Sequence, residues 1–256
     1  MAKKDNPVGR LYEILVKAKQ FTGTGYEIWG QVFEIESVTG DSPDVNEDAI
    51  FEVLSRIVQL RALVNEAKES LMNLEGVNHE LYLTPFPNII PVVKIDNFPT
   101  SNFELYIQKI NESDMALLSL GADELSRRHI EPSINEDELK EILREVNELF
   151  EEVSSSSLEK ELKTYILTQL ELIRRGINEY RITGIKRLQE ALATTIGSML
   201  INRDLINQAS DKQEVGKFVS LTMRFANVVT LASKATALIE SLSKFLPLLL
   251  PGGPHS

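Results

Sequence analysis

The sequence predicts an all-α protein, a multi-helix bundle in two packed parts. Three observations predict it. Apolar residues recur at helical or heptad spacing through most of the chain, helix-start signals precede those runs, and proline and glycine gather between them. Residues 8–20 place Leu11, Ile14, Leu15 and Ala18 on one stripe, which predicts a short first helix. Phe21 to Gly30 holds Gly23, Gly25 and Gly30 beside Trp29 and reads as a break with an aromatic anchor. Residues 37–46 are turn-rich.

The next helix is the best-specified element. Asn46 is placed as its N-cap, and Glu47 and Asp48 suit the positive end of the helix dipole. Ile50, Ile57, Val64 and Leu71 fall seven apart, as do Val53, Leu60, Ala67 and Leu74. Together they form a heptad seam, closed by Gly76. Leu54, Val58 and Leu63 lie off the seam and widen the apolar face, which favours packing inside a bundle. The alternative is an intermolecular seam, with Ile50, Val53, Ile57, Leu60, Val64, Leu71 and Leu74 as the self-association residues.

Pro85, Pro87, Pro91 and Pro99 break the pattern across 77–103. The stretch is still apolar, so it reads as an extended arm packed on the helices, with a short strand possible at Pro91–Ile95. Helical spacing resumes over 103–128, and Pro132 ends it. Ser133-Ile-Asn-Glu136 fits a capping box before the heptad-spaced Leu139, Ile142, Val146, Leu149 and Val153. Ser154–Ser157 reads as a tight turn. A central helix follows from Leu158 toward Leu200, softened at Gly176, Gly184 and Gly197, and a last helix runs from the Asp211–Glu214 cap to about Phe245. The domain reading is 1–130 as an N-terminal helical part including the arm 77–103, 131–246 as a C-terminal bundle and 247–256 as a tail.

Composition narrows the function. The 256 residues are 43% hydrophobic and 25% charged, ordinary for a globular chain. With no cysteine there is no disulfide framework, thiolate metal site or cysteine nucleophile. That composition suits a reducing compartment. The N-terminal Met1–Pro7 has two lysines and no apolar stretch, so a secretory leader is not expected and a cytoplasmic location is. The net charge of −11 argues against nucleic-acid binding by the whole molecule. The charge is uneven. Residues 1–130 carry 12 basic and 20 acidic side chains, 131–161 carry 3 and 11, and 162–256 carry 12 and 7. The acidic middle either faces water or meets the basic back, within the chain or between subunits.

No catalytic constellation, cofactor motif or metal set emerges. His79, His129 and His255 have no second ligand at helical spacing, and neither a P-loop nor a G-x-G-x-x-G occurs. The densest polar cluster is Ile173–Ile185. There Arg174, Asn178 and Arg181 share a helix face beside Arg175 and Tyr180, a set that suits a carboxylate or phosphate, or an internal acidic helix at Glu141, Glu145, Glu148 and Glu152.

This cluster, Ile-Arg-Arg-x-Ile-x-Glu-Tyr-Arg-Ile-x-Gly followed by Leu188 and Ala191-Leu192, resembles a segment of uncharacterised helical proteins of bacteria over about residues 160–200. The resemblance implies a bacterial source and a helical context, and no activity.

The last helix carries Phe218, Leu221, Phe225, Val228, Leu231, Leu238, Leu242 and Phe245 on its apolar side. Arg224, Lys234, Glu240 and Lys244 interrupt every window of the ~20 apolar residues a span needs. It is either a buried bundle helix or an interfacial one that meets a membrane or partner conditionally. The functional expectation is a non-enzymatic interaction or assembly protein of the bacterial cytoplasm, able to form a homo-oligomer. The alternatives are a membrane-acting toxin or defence effector using the C-terminal helix, and an enzyme or anion-binding protein using the Arg174/Arg181 face.

Overall fold

The computed structural model describes residues 5–35, 47–100, 102–128 and 131–233, and among them there are helices and no strand. Two compact units result. Unit 1 is Met1–Glu131 with Arg181–Gly184, and unit 2 is Pro132–Tyr180 with Ile185–Ser256.

In unit 1, α1 (Pro7–Ala18) begins where Asn6 accepts from the Gly9 amide and Pro7 occupies the first turn. The buried Asn6 amide also donates to the Ala122 carbonyl and to Ser126 Oγ, fixing the start of α1 on α7 (Glu112–Arg128). The expected break at 21–30 is instead α2 (Gly25–Phe33). Thr24 and Glu27 form a complete capping box, a favourable nucleus that outweighs the glycines. α3 (Glu47–Met72) is the long central helix, and it ends before Gly76, which lies in the following turn at φ +72°. Asn46, its expected cap, and the turn-rich 37–46 lie outside the described residues.

Segment 77–103 is not an extended arm, and Pro91–Ile95 is not a strand. The chain winds through α4 (His79–Leu83), α5 (Phe86–Ile89), 3₁₀ turns at Ile90–Val93 and Ile95–Asn97, and α6 (Glu104–Gln108) begins just beyond it. Pro87 and Pro91 fall in the first turns of separate short helices, where the missing amide has no bond to lose. The expectation of extension rested on proline's helix-breaking effect, which applies to helix interiors. Phe86, Ile89, Val92, Val93, Phe98 and Phe103 are buried and pack with Trp29 in the unit 1 core.

In unit 2, Asn135 rather than Ser133 caps α8 (Glu136–Ser155), accepting from the Asp137 amide. A turn at 156–159 leads to α9 (Lys160–Thr183). Gly184, at φ +63°, reverses the chain into α10 (Ile185–Ile201), so the predicted continuous helix is a hairpin. α11 (Arg203–Gln208) precedes α12 (Gln213–Ser233). α12 packs on α8 and α10, and Val146, Ile166, Ile173, Leu188, Phe218 and Phe225 fill a common core.

Candidate functional site

The heptad seam of α3 is spent inside unit 1. Val53, Ile57, Leu60, Val64, Leu71 and Leu74 are buried and Ile50 is half-buried. They face α1, α2, α7 and the 3₁₀ turn at 90–93. The seam is therefore not a free self-association surface, because burial in the chain's own core leaves it nothing to offer a partner. The opposite face of α3 is the surprise. Phe51, Val58 and Met72 are 67%, 62% and 52% exposed. With the exposed Asn65 they occupy positions 51, 58, 65 and 72, one stripe at heptad spacing, and the exposed Ala62 lies beside it. Arg61 and Lys68 run along one flank, and Glu52 and Glu66 along the other. The helix is 26 residues, so the stripe extends along an element about 39 Å long.

The arginine cluster does not converge on an empty anion site. Arg174 pairs with Glu171, and its guanidinium lies 4.7 Å from the centre of the Phe150 ring. Arg175 pairs at 3.2 Å with Glu179, a carboxylate 1% exposed that Arg187 also binds at 2.9 Å. Tyr180 accepts from the Ile134 amide at 2.8 Å, and Asn178 is exposed. Arg181 pairs with Glu34 at 3.0 Å. Each arginine is neutralised by an internal carboxylate, which is what the i,i+4 spacing of Arg175 and Glu179 indicates locally and what no local spacing reveals for Glu34.

Glu34 stands at the left-handed C-cap of α2 and also binds Lys17, at 2.7 Å. The Lys17 hydrogen bond, then Arg181, hold its carboxyl below the usual range against the opposing effect of burial. A depressed carboxylate pKa contributes stability above the unfolded value and loses it as pH falls through the folded value. Glu34→Gln is therefore expected to narrow the stability difference between pH 7 and pH about 3.5. Denaturation at several pH values, followed by Trp29 fluorescence, measures this; equal acid sensitivity in both proteins would contradict it.

The acidic middle meets the basic back inside unit 2. Arg224 of α12 binds Glu141 at 2.7 Å and also Glu145, and Lys217 binds Glu152 at 2.6 Å. The carboxylates raise the Arg224 pKa. These side chains are partly exposed, so each pair contributes at most about 1 kcal/mol. Glu148 pairs within α8, with Arg144.

Phe218, Leu221 and Phe225 are buried in the unit 2 core and Val228 is half-buried, while Leu231 is exposed. Leu238, Leu242 and Phe245 lie outside the described residues, as do His129 and His255. Among the described residues no helix is long and apolar enough to cross a membrane, and no cluster of three metal-ligating side chains occurs. Compared with known proteins, the chain matches no family model, and neither curated proteins nor solved structures yield a similar one.

Proposed function

We propose that this chain is a non-enzymatic assembly protein of the bacterial cytoplasm that pairs with a second copy of itself through the outward stripe of α3. The observation that carries the reading is the exposure of Phe51, Val58 and Met72 at heptad spacing on a helix whose other face is already buried. Water-facing helix positions are ordinarily polar, and three large apolar side chains in register form the knobs of a helix–helix contact. The second copy is favoured by the charge frame. A stripe flanked by cations on one side and carboxylates on the other complements itself. Parallel pairing sets Arg61 near the partner's Glu66, and antiparallel pairing sets Glu47 near the partner's Lys68. The absence of cysteine and the resemblance to helical bacterial proteins support the location.

Sedimentation velocity over about 1 to several hundred micromolar tests this. The wild-type chain is expected to shift from monomer to dimer, and Phe51→Glu with Val58→Glu to remain monomeric with an unchanged helical circular dichroism spectrum. A wild-type chain that stays monomeric throughout, whatever covers the stripe, overturns the proposal. So does a doubly substituted chain that dimerises as well as the wild type.

A further inference from the structure

Sulfur chemistry in this chain falls to methionine. The 256 residues include five methionines and no cysteine. A thioether is oxidised where an oxidant reaches it, so exposure ranks the sites. Met199 and Met115 are 1% and 9% exposed, and Met223 is half-buried. Met72 is 52% exposed, and Met1 lies outside the described residues. Among the described residues, Met72 is therefore the thioether most open to an oxidant arriving from solvent.

Met72 is also the last of the three large apolar side chains on the outward stripe of α3, after Phe51 and Val58, and the last residue of that helix. The stripe position between Val58 and Met72 is Asn65, so Met72 is the apolar anchor of the stripe's C-terminal half. The inward residues next to it, Leu71 and Leu74, are 1% and 6% exposed and belong to the unit 1 core. A change confined to the Met72 side chain thus alters the surface and leaves that core in place. Oxidation to the sulfoxide makes a flexible apolar side chain polar. In a helix–helix contact this forfeits apolar burial and adds the cost of covering a polar oxygen.

We propose that Met72 is a peroxide-sensitive modification site that controls pairing through the α3 stripe, an inference that rests on the self-pairing reading above. The sulfur lone pair attacks one oxygen of a hydroperoxide. The O–O bond breaks, an S–O bond forms and, for hydrogen peroxide, the second oxygen leaves as water. Sulfur loses two electrons and the peroxide gains them. In the pair Met72 is covered, so oxidation acts on the separate chain and holds it apart, and reduction of the sulfoxide restores pairing.

The test treats the full chain with hydrogen peroxide and follows it by peptide mass mapping and sedimentation velocity. Met72 sulfoxide is expected to accumulate ahead of oxidation at Met115, Met199 and Met223. The dimer dissociation constant is expected to rise about tenfold or more with the helical circular dichroism spectrum unchanged, and to return on treatment with methionine sulfoxide reductase. Met72→Leu, with an apolar side chain of similar volume, is expected to show no such rise on peroxide treatment. Oxidation that falls first on Met115, Met199 or Met223 overturns the proposal. So does a dissociation constant that stays unchanged with Met72 fully oxidised, or one that rises and does not return on reduction. These three outcomes leave the self-pairing reading standing, whereas a wild-type chain that is monomeric before treatment overturns both.

Discussion

Trp29→Ala is expected to lower the stability of unit 1 by about 3–5 kcal/mol from lost packing alone. Trp29 is the only tryptophan, is wholly buried, and stacks on Phe33 with ring centres 5.6 Å apart. Its indole N–H donates to the Val92 carbonyl at 3.2 Å, tying α2 to the short turns of 77–103. Truncation opens a cavity in the unit 1 core and leaves that carbonyl without its donor, about 1 kcal/mol more. Against a total stability of about 5–15 kcal/mol for a domain, this is a large fraction. Trp29→Phe keeps an aromatic ring and loses the donor, so it is expected to fall between the two. Far-UV circular dichroism in denaturant is the measurement, since the substitution removes the fluorophore. A midpoint equal to that of the wild type would show that the indole is not the keystone of unit 1.

What the sequence makes legible follows from which forces are local. The inner seam of α3 is readable because 26 residues of helix repeat one pattern several times. Its outer stripe is not. Val58 and Leu63 look alike as off-seam apolar residues, yet Val58 is 62% exposed and Leu63 is 2% exposed. Which one turns inward depends on where α1, α2 and α7 sit, and spacing along α3 carries no information about that. In the turns of 77–103 the prolines are legible as breaks, but their tolerance in first turns has to be combined with the apolar demand of Phe86, Val92 and Phe98 to give short helices rather than an arm.

α2 was within reach, because Thr24-x-x-Glu27 is a capping signature in plain view, obscured by three neighbouring glycines. The ion pairs divide in the same way. Arg175–Glu179 follows from i,i+4 spacing, whereas Arg181–Glu34 joins residues 147 apart. The anion-site reading of Arg181 depended on that distant carboxylate being elsewhere, and only tertiary structure places it.

Gly25→Ala is expected to destabilise unit 1 by about 1–3 kcal/mol, in a position where a helix would ordinarily gain from alanine. The backbone conformation of Gly25 is not the reason, since it opens α2 in a helical position. The reason is steric. A Cβ there would stand 2.8 Å from the Phe98 Cα and 2.8 Å from its Cγ. Phe98 has little room to retreat, being wholly buried and edge-on to both Tyr26 and Phe103, at 5.6 and 5.3 Å. The Gly25 amide also donates to the Phe98 carbonyl at 3.0 Å, so displacing Phe98 strains a hydrogen bond as well as the packing. Gly197→Ala supplies the opposite case. It lies inside α10 with no described atom within 4 Å of the added methyl, and is expected to stabilise by about 0.5–1 kcal/mol through backbone entropy. Trp29 fluorescence follows the first variant and circular dichroism the second. If both alanines stabilised, close approach of Phe98 would not be what selects glycine at position 25. Opposite signs would separate a glycine needed for its missing side chain from one that is merely tolerated.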